Sequence, residues 1–139
     1  MTIRRTHKLF EKNFLKKNNQ LKILDLGCTH VNFWEEANHF ADIVDYTKQF
    51  SEKNLNFTLL EVNKKLPFKD KEFDFVITSH VLEHVNDLSY FIHELERVSK
   101  AGYIEIPTKL EDNLVFENKK DHLWHMEFDD DNFEIIISK

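Results

Sequence analysis

Two kinds of apolar pattern alternate along the chain. Short, nearly continuous apolar runs stand at residues 21–26 (LKILDL), 41–45, 56–62, 73–78 (FDFVIT) and 102–106. Runs of this length, rich in β-branched and aromatic residues, are how strands buried on both faces read. Elsewhere the period lengthens to that of a helix. Residues 6–17 place Leu9, Phe10, Phe14 and Leu15 among charged neighbours, and Leu88, Phe91, Ile92, Leu95 and Val98 share one face behind the capping residue Asp87. A shorter helix is predicted through Phe33, Trp34, Ala37 and Phe40, capped by Thr29 or Asn32, and a helical turn over 48–53. Residues 64–71 read as a loop around Leu66, Pro67 and Phe68, Ala101-Gly102 as a turn, and 108–118 as a further helix. The chain ends in two runs, 122–128 and 133–138, joined by Asp129-Asp130-Asp131-Asn132. Asp131 could instead cap a final helix, but three consecutive isoleucines, Ile135 to Ile137, favour a hairpin strand.

Strand and helix in alternation predict a parallel sheet with right-handed crossovers. The expected fold is therefore an α/β doubly wound three-layer sandwich, Rossmann-like, its mostly parallel sheet closed by an antiparallel C-terminal hairpin. With 139 residues, 41% hydrophobic and 32% charged, a single domain spanning 1–139 fits, either near-minimal or a piece of a longer protein. A net charge of −6 argues against nucleic acid as the main partner. No run is long and apolar enough to cross a membrane, and a lone cysteine, Cys28, fits a reducing compartment, so a cytoplasmic location is expected. The basic start (Arg4, Arg5, Lys8, Lys12, Lys16, Lys17) reads first as a solvated face and second as a surface for an anionic substrate.

Candidate chemistry collects where strands end, and in open α/β sheets ligands bind outside the carboxyl ends of the strands. Asp25-Leu26-Gly27-Cys28 closes the first strand, and a glycine there admits positive φ and close backbone approach. Asp45 follows Asp25 by twenty residues, the interval at which an acid can take both hydroxyls of a ribose. Glu61 closes the third strand and is suited to accept from an amine or hydroxyl. The stretch FDFVITSHVLEHV, residues 73–85, delivers Ser79, His80, Glu83 and His84 to the same edge. Gly27 and the two carboxylates describe a pocket for an adenosine-like ligand.

The stretches ILDLGC (23–28) and LPFKDKEFDFVITSHVLEHVND (66–87), with Asp45 between them, resemble the class I S-adenosylmethionine-dependent methyltransferases, type-11-like branch, over roughly residues 20–107. The resemblance implies S-adenosylmethionine as cofactor and a small-molecule acceptor. It implies that Gly27 and Cys28 border the methionine part and that Asp45 takes the ribose, with Asp25 and Tyr46 also among the cofactor-binding residues. Glu61 and Val62 would border the adenine, and Ser79 and His80 would stand beside the methyl group. His80 is the candidate catalytic base. The family's glycine-rich loop departs here, with Thr29 and Val31 where two further glycines usually stand. That leaves two readings: an active methyltransferase, or a methyltransferase-like scaffold with weak or no cofactor binding. His80 to His84 also spells H-x-x-E-H, a zinc-hydrolase pattern needing both histidines on one helical face. With His80 directly after a buried strand, that reading is not adopted. The Asp121, His122, His125, Glu127 and 129–131 cluster reads as a charged hairpin, and no metal is assigned.

Overall fold

The computed structural model is an α/β fold in which a parallel sheet is built from short strands. It describes residues 5–61, 64–107, 121–132 and 134–139. In chain order these form α1 (Lys8–Lys17), β1 (Ile23–Leu26), β2 (His39–Asp42), α2 (Thr47–Glu52), β3 (Asn56–Leu59) and β4 (Phe73–Ser79). A 3₁₀ turn at Leu82–His84, α3 (Leu88–Val98), β5 (Ser99–Glu105), β6 (His125–Asp129) and β7 (Glu134–Ser138) follow. Strands β1 to β5 make one parallel sheet in the order β3-β2-β1-β4-β5.

Strand β1 is buried throughout, and its period of two divides the core. Ile23 packs in a cluster with Leu15 of α1 and Phe50 of α2. Leu24 and Leu26 pack in another with Phe91, Leu95 and Val98 of α3. Helices therefore cover both faces, and the layering is the predicted α/β sandwich. The chain runs β1 to β3 towards one sheet edge and β4 to β5 towards the other, which puts the topological switch between β1 and β4.

Asp87 caps α3 as predicted, its carboxylate accepting from Tyr90 N at 2.9 Å. The described residues of the β3–β4 crossover form no helix and are held by Arg97 instead. Its guanidinium donates to Phe68 O (2.8 Å), Leu66 O (3.0 Å) and both Glu94 oxygens (2.7 Å each). Glu94 in turn accepts from Leu66 N at 2.8 Å. Glu94 and Asp70 raise the already high Arg97 pKa, as hydrogen bonds to its charged form should.

Several expectations need correction. Strand β2 ends at Asp42 rather than Asp45, because the Asp42 carboxylate accepts from Val44 N at 2.7 Å and turns the chain away. Strand β3 ends at Leu59, and Glu61 instead opens a turn in which its carbonyl accepts from Lys64 N. The helix expected around 33–40 is absent. Two of its amides are taken elsewhere, Trp34 N donating to Asp25 and Asn38 N to Ile23 O, while the Asn38 side chain clamps the start of β1 through Ile23 N and Leu21 O. Ala101 and Gly102 lie inside β5. Gly102 is needed for close approach, since a Cβ would come within 2.8 Å of Val76 Cγ1 and 2.9 Å of Val76 O.

The C-terminal hairpin forms, in antiparallel register from His125↔Ser138 to Asp129↔Glu134. Asp129 makes its turn, accepting from Asp131 N, Asn132 N and Asn132 Nδ2. It is a separate two-stranded sheet and adds no strand to the main one. Met126 instead plugs it into the α3-side core. The helix expected at 108–118 lies outside the described residues, as does Val62.

Candidate active site at the carboxyl edge

At the end of β1, Gly27 has φ +89°, and a Cβ there would stand 2.1 Å from Val81 Cγ2. Both facts demand glycine. Asp25 is almost wholly buried, with its Oδ2 accepting from Trp34 N at 2.7 Å. Burial pushes this carboxyl up to about 7, against the Trp34 hydrogen bond and the Lys8 charge that pull it down. Burial likewise pushes the Cys28 thiol up to about 12, so Cys28 packs as an inert thiol rather than a nucleophile.

Thr29 closes a reciprocal turn with Asn32: Thr29 N donates to Asn32 O (2.9 Å), and Asn32 N to Thr29 Oγ1 (3.0 Å). This turn occupies the place of the expected glycine-rich loop. Val31 projects from it, 79% exposed. His30 stacks at a tilt 5.0 Å from Tyr46, and Lys53 Nζ donates to His30 O at 2.8 Å, so the turn lies against α2.

Beyond β2, two acids rather than one follow Ala41. Asp42 is half-buried, and burial raises its pKa. Asp45 is fully exposed, and hydrogen bonds from the Thr47 hydroxyl and from Thr47 N, the latter at 2.9 Å, hold its carboxylate below the usual range. Ile43 and Val44 stand between them, 59% and 50% exposed, and Leu59 at the end of β3 is 51% exposed. Glu61 pairs with Lys64 in solvent.

At the end of β4, Ser79 Oγ donates to Glu105 Oε2 (3.0 Å) and accepts from Trp34 Nε1 (3.2 Å). Lys8 Nζ donates to Glu105 at 2.8 Å, and Lys8 and Lys12 both stand over the Trp34 ring, 5.3 and 5.2 Å from its centroid. Arg5 pairs with Asp130. Much of the basic N-terminal face is thus paired within the molecule. His80 has φ +55°, uncommon for a non-glycine residue and a mark of functional or switch positions. Its amide donates to Glu105 O at 2.9 Å, and its Nδ1 stands 3.3 Å from Glu83 Oε1.

Sequence reasoning missed Trp34, Glu105, His30 and Asp42. Only Asp42 left a signal, as the first acid of D-I-V-D.

The model of the methyltransferase domain family matches residues 20–104. The chain belongs to that family. The expected kinship with class I S-adenosylmethionine-dependent methyltransferases is thereby borne out. An uncharacterized protein of Methanocaldococcus jannaschii is 30% identical over 145 residues, covering 94% of this chain. The chain thus spans about 62% of that relative's length. Among solved structures, the CurJ carbon methyltransferase superposes with a TM-score of 0.57 at 16% identity, over 70% of this chain and 32% of its own. The trans-methyltransferase CalH, in complex with SAH, gives 0.55 at 19%, over 81% and 41%. A SAM-dependent methyltransferase from Aquifex aeolicus gives 0.50 at 18%, over 84% and 81%. At these identities the likeness is one of fold. No helix among the described residues is long and apolar enough to cross a membrane.

Proposed function

We propose that the chain binds S-adenosylmethionine across the carboxyl ends of β1, β2 and β4 and transfers its methyl group to a small-molecule acceptor. The observation that carries this reading is the placement of Gly27, at φ +89°, and Ser79-His80 on the two strands that flank the topological switch. The nucleoside half of the cofactor suits the residues present. Asp45 offers an exposed carboxylate for ribose hydroxyls, Ile43, Val44 and Leu59 offer apolar surface for a base, and Glu61 an acceptor near it. Asp25, Cys28, Tyr46 and Val62 keep the bordering roles that the family resemblance implies.

When bound, S-adenosylmethionine supplies an already activated sulfonium methyl, so the protein's work is mainly alignment for in-line displacement. Gly27 gives backbone access, and Asp45 fixes the ribose. His80, with the Glu83 carboxylate behind its Nδ1, is assigned to accept the acceptor's proton where one must leave. A cytoplasmic setting goes with this reading.

A second reading, a scaffold that does not bind the cofactor, is favoured by one contact. The Trp34 indole already occupies the Ser79 hydroxyl and is held there under two lysines. Calorimetry with S-adenosylhomocysteine separates the two. Binding that Asp45→Ala weakens at least tenfold is expected, since charge-assisted hydrogen bonds to two hydroxyls are worth roughly 1.5–3 kcal/mol each before losses and tenfold is about 1.4 kcal/mol. Equal loss in Asp42→Ala with none in Asp45→Ala would move the ribose to Asp42.

A further inference from the structure

The 3₁₀ turn after β4 carries a buried acid that its place beside His80 accounts for only in part. Glu83 is fully buried, and among the described residues neither of its carboxylate oxygens has a hydrogen-bond partner. The 3.3 Å approach of His80 Nδ1 is an ion-pair distance without hydrogen-bond alignment. An ionised carboxylate buried in this way is costly unless a cation or hydrogen-bond donors meet it.

Two imidazoles stand beside it. One ligand atom each from Glu83, His84 and His122 lie within 4.8 Å of one another, and the His84 and His122 rings meet edge to face at 4.8 Å between centroids. The His84 tautomer is fixed by its other contact. Its Nδ1 lies 3.0 Å from Asp121 O, and a carbonyl only accepts, so Nδ1 carries the proton and Nε2 keeps its lone pair. A backbone carbonyl behind the ring is the usual orienting partner of a metal-bound histidine.

We propose that Glu83, His84 and His122 bind a divalent cation of the zinc class, with water completing its shell. Two histidines and a glutamate are a known zinc donor set. Tetrahedral bonds of roughly 2.0–2.2 Å would place donors roughly 3.3–3.5 Å apart, so the three side chains must draw together by an ångström or so. The exposed His84 and part-exposed His122 have room to do it.

The site is a clip rather than a hydrolase. It ties the turn behind Ser79-His80 to the strand-leading segment at Asp121–His122, whose Leu123 N already donates to Glu83 O at 2.7 Å. The sequence assigned no metal and never paired these residues: His122 lies 38 residues beyond His84, and only the fold brings them together.

The test uses the full chain stripped of metal, equilibrated with micromolar zinc chloride, desalted and assayed for zinc by mass spectrometry. Cobalt(II) absorption reports the donor geometry. One zinc per chain is expected, with a zinc-dependent rise in Tm that chelator reverses. Glu83→Gln and His122→Ala should each weaken zinc binding at least tenfold, while His93→Ala should leave it unchanged. No zinc uptake by the parent overturns the proposal, as does uptake that His122→Ala leaves intact. Should Glu83→Gln misfold, the part-exposed His122 still decides the matter. Cofactor binding is not read in this assay, so its result is independent of the methyltransferase reading.

Discussion

Asp25 is an acid placed where water is nearly excluded, with one backbone amide to answer its charge. Burial moves its pKa from 3.8 to about 7, so between those values the folded protein holds a proton that the unfolded chain has released. The Asp25 contribution to stability must therefore fall as pH rises from about 4 to about 7 and level off above, the reverse of a salt-bridged carboxylate. Asp25→Asn keeps an oxygen for Trp34 N and removes the titration. Relative to the parent, its Tm should lack that fall and be higher at pH 8, by an amount equivalent to about 1 kcal/mol or more. Parallel Tm curves for the two proteins between pH 5 and 8 would show that Asp25 does not titrate with folding. His80 presents the complementary case of strain. Its left-handed backbone follows from the abrupt end of β4, where its amide is captured by Glu105 O.

At the scale of elements, what the sequence made legible was whatever rests on hydropathy period. Residues 73–78 became β4 and 88–98 became α3 because each pattern has one burial solution. Boundaries set by single polar side chains were not legible. Asp42 and Val44 read as strand, yet one Asx turn ends β2 before Asp45. Phe33, Trp34, Ala37 and Phe40 have helical spacing, but the Trp34 amide donates to Asp25 and the Asn38 amide to Ile23 O instead of into a helix. The site was legible as far as Gly27, Asp45, Ser79 and His80 reaching one sheet edge. Trp34 on Ser79 was not, since it depends on how that lost helix refolds as a turn. The Thr29–Asn32 turn is testable directly. Thr29→Gly with Val31→Gly keeps the Thr29 N to Asn32 O bond but removes Oγ1 and the projecting valine. Stability should drop by roughly 0.5–1 kcal/mol per glycine, and S-adenosylmethionine should bind more tightly. Unchanged affinity in a folded double mutant would mean that the turn does not line the pocket.

For the molecule as a whole, the question is whether the carboxyl edge opens to a ligand or is fastened shut. Its fastening joins three parts of the chain: Lys8 and Lys12 from α1, Trp34 from the β1–β2 connection, and Ser79 with Glu105 from β4 and β5. A ligand that binds only the folded state raises stability by about 2.7 kcal/mol at a hundred times its Kd. In a domain of this size that corresponds to a Tm rise of roughly 5–10 °C. Trp34→Phe removes the indole donor but leaves a ring beneath the two lysines, so it frees the Ser79 hydroxyl with little loss of packing. We expect S-adenosylhomocysteine to raise the Tm of the parent, and to raise that of Trp34→Phe further at the same concentration. A shift in the variant alone would make Trp34 the bar to binding. No shift in either protein at millimolar ligand would leave the sheet edge closed for reasons other than Trp34, and the scaffold reading would then stand in place of the enzyme.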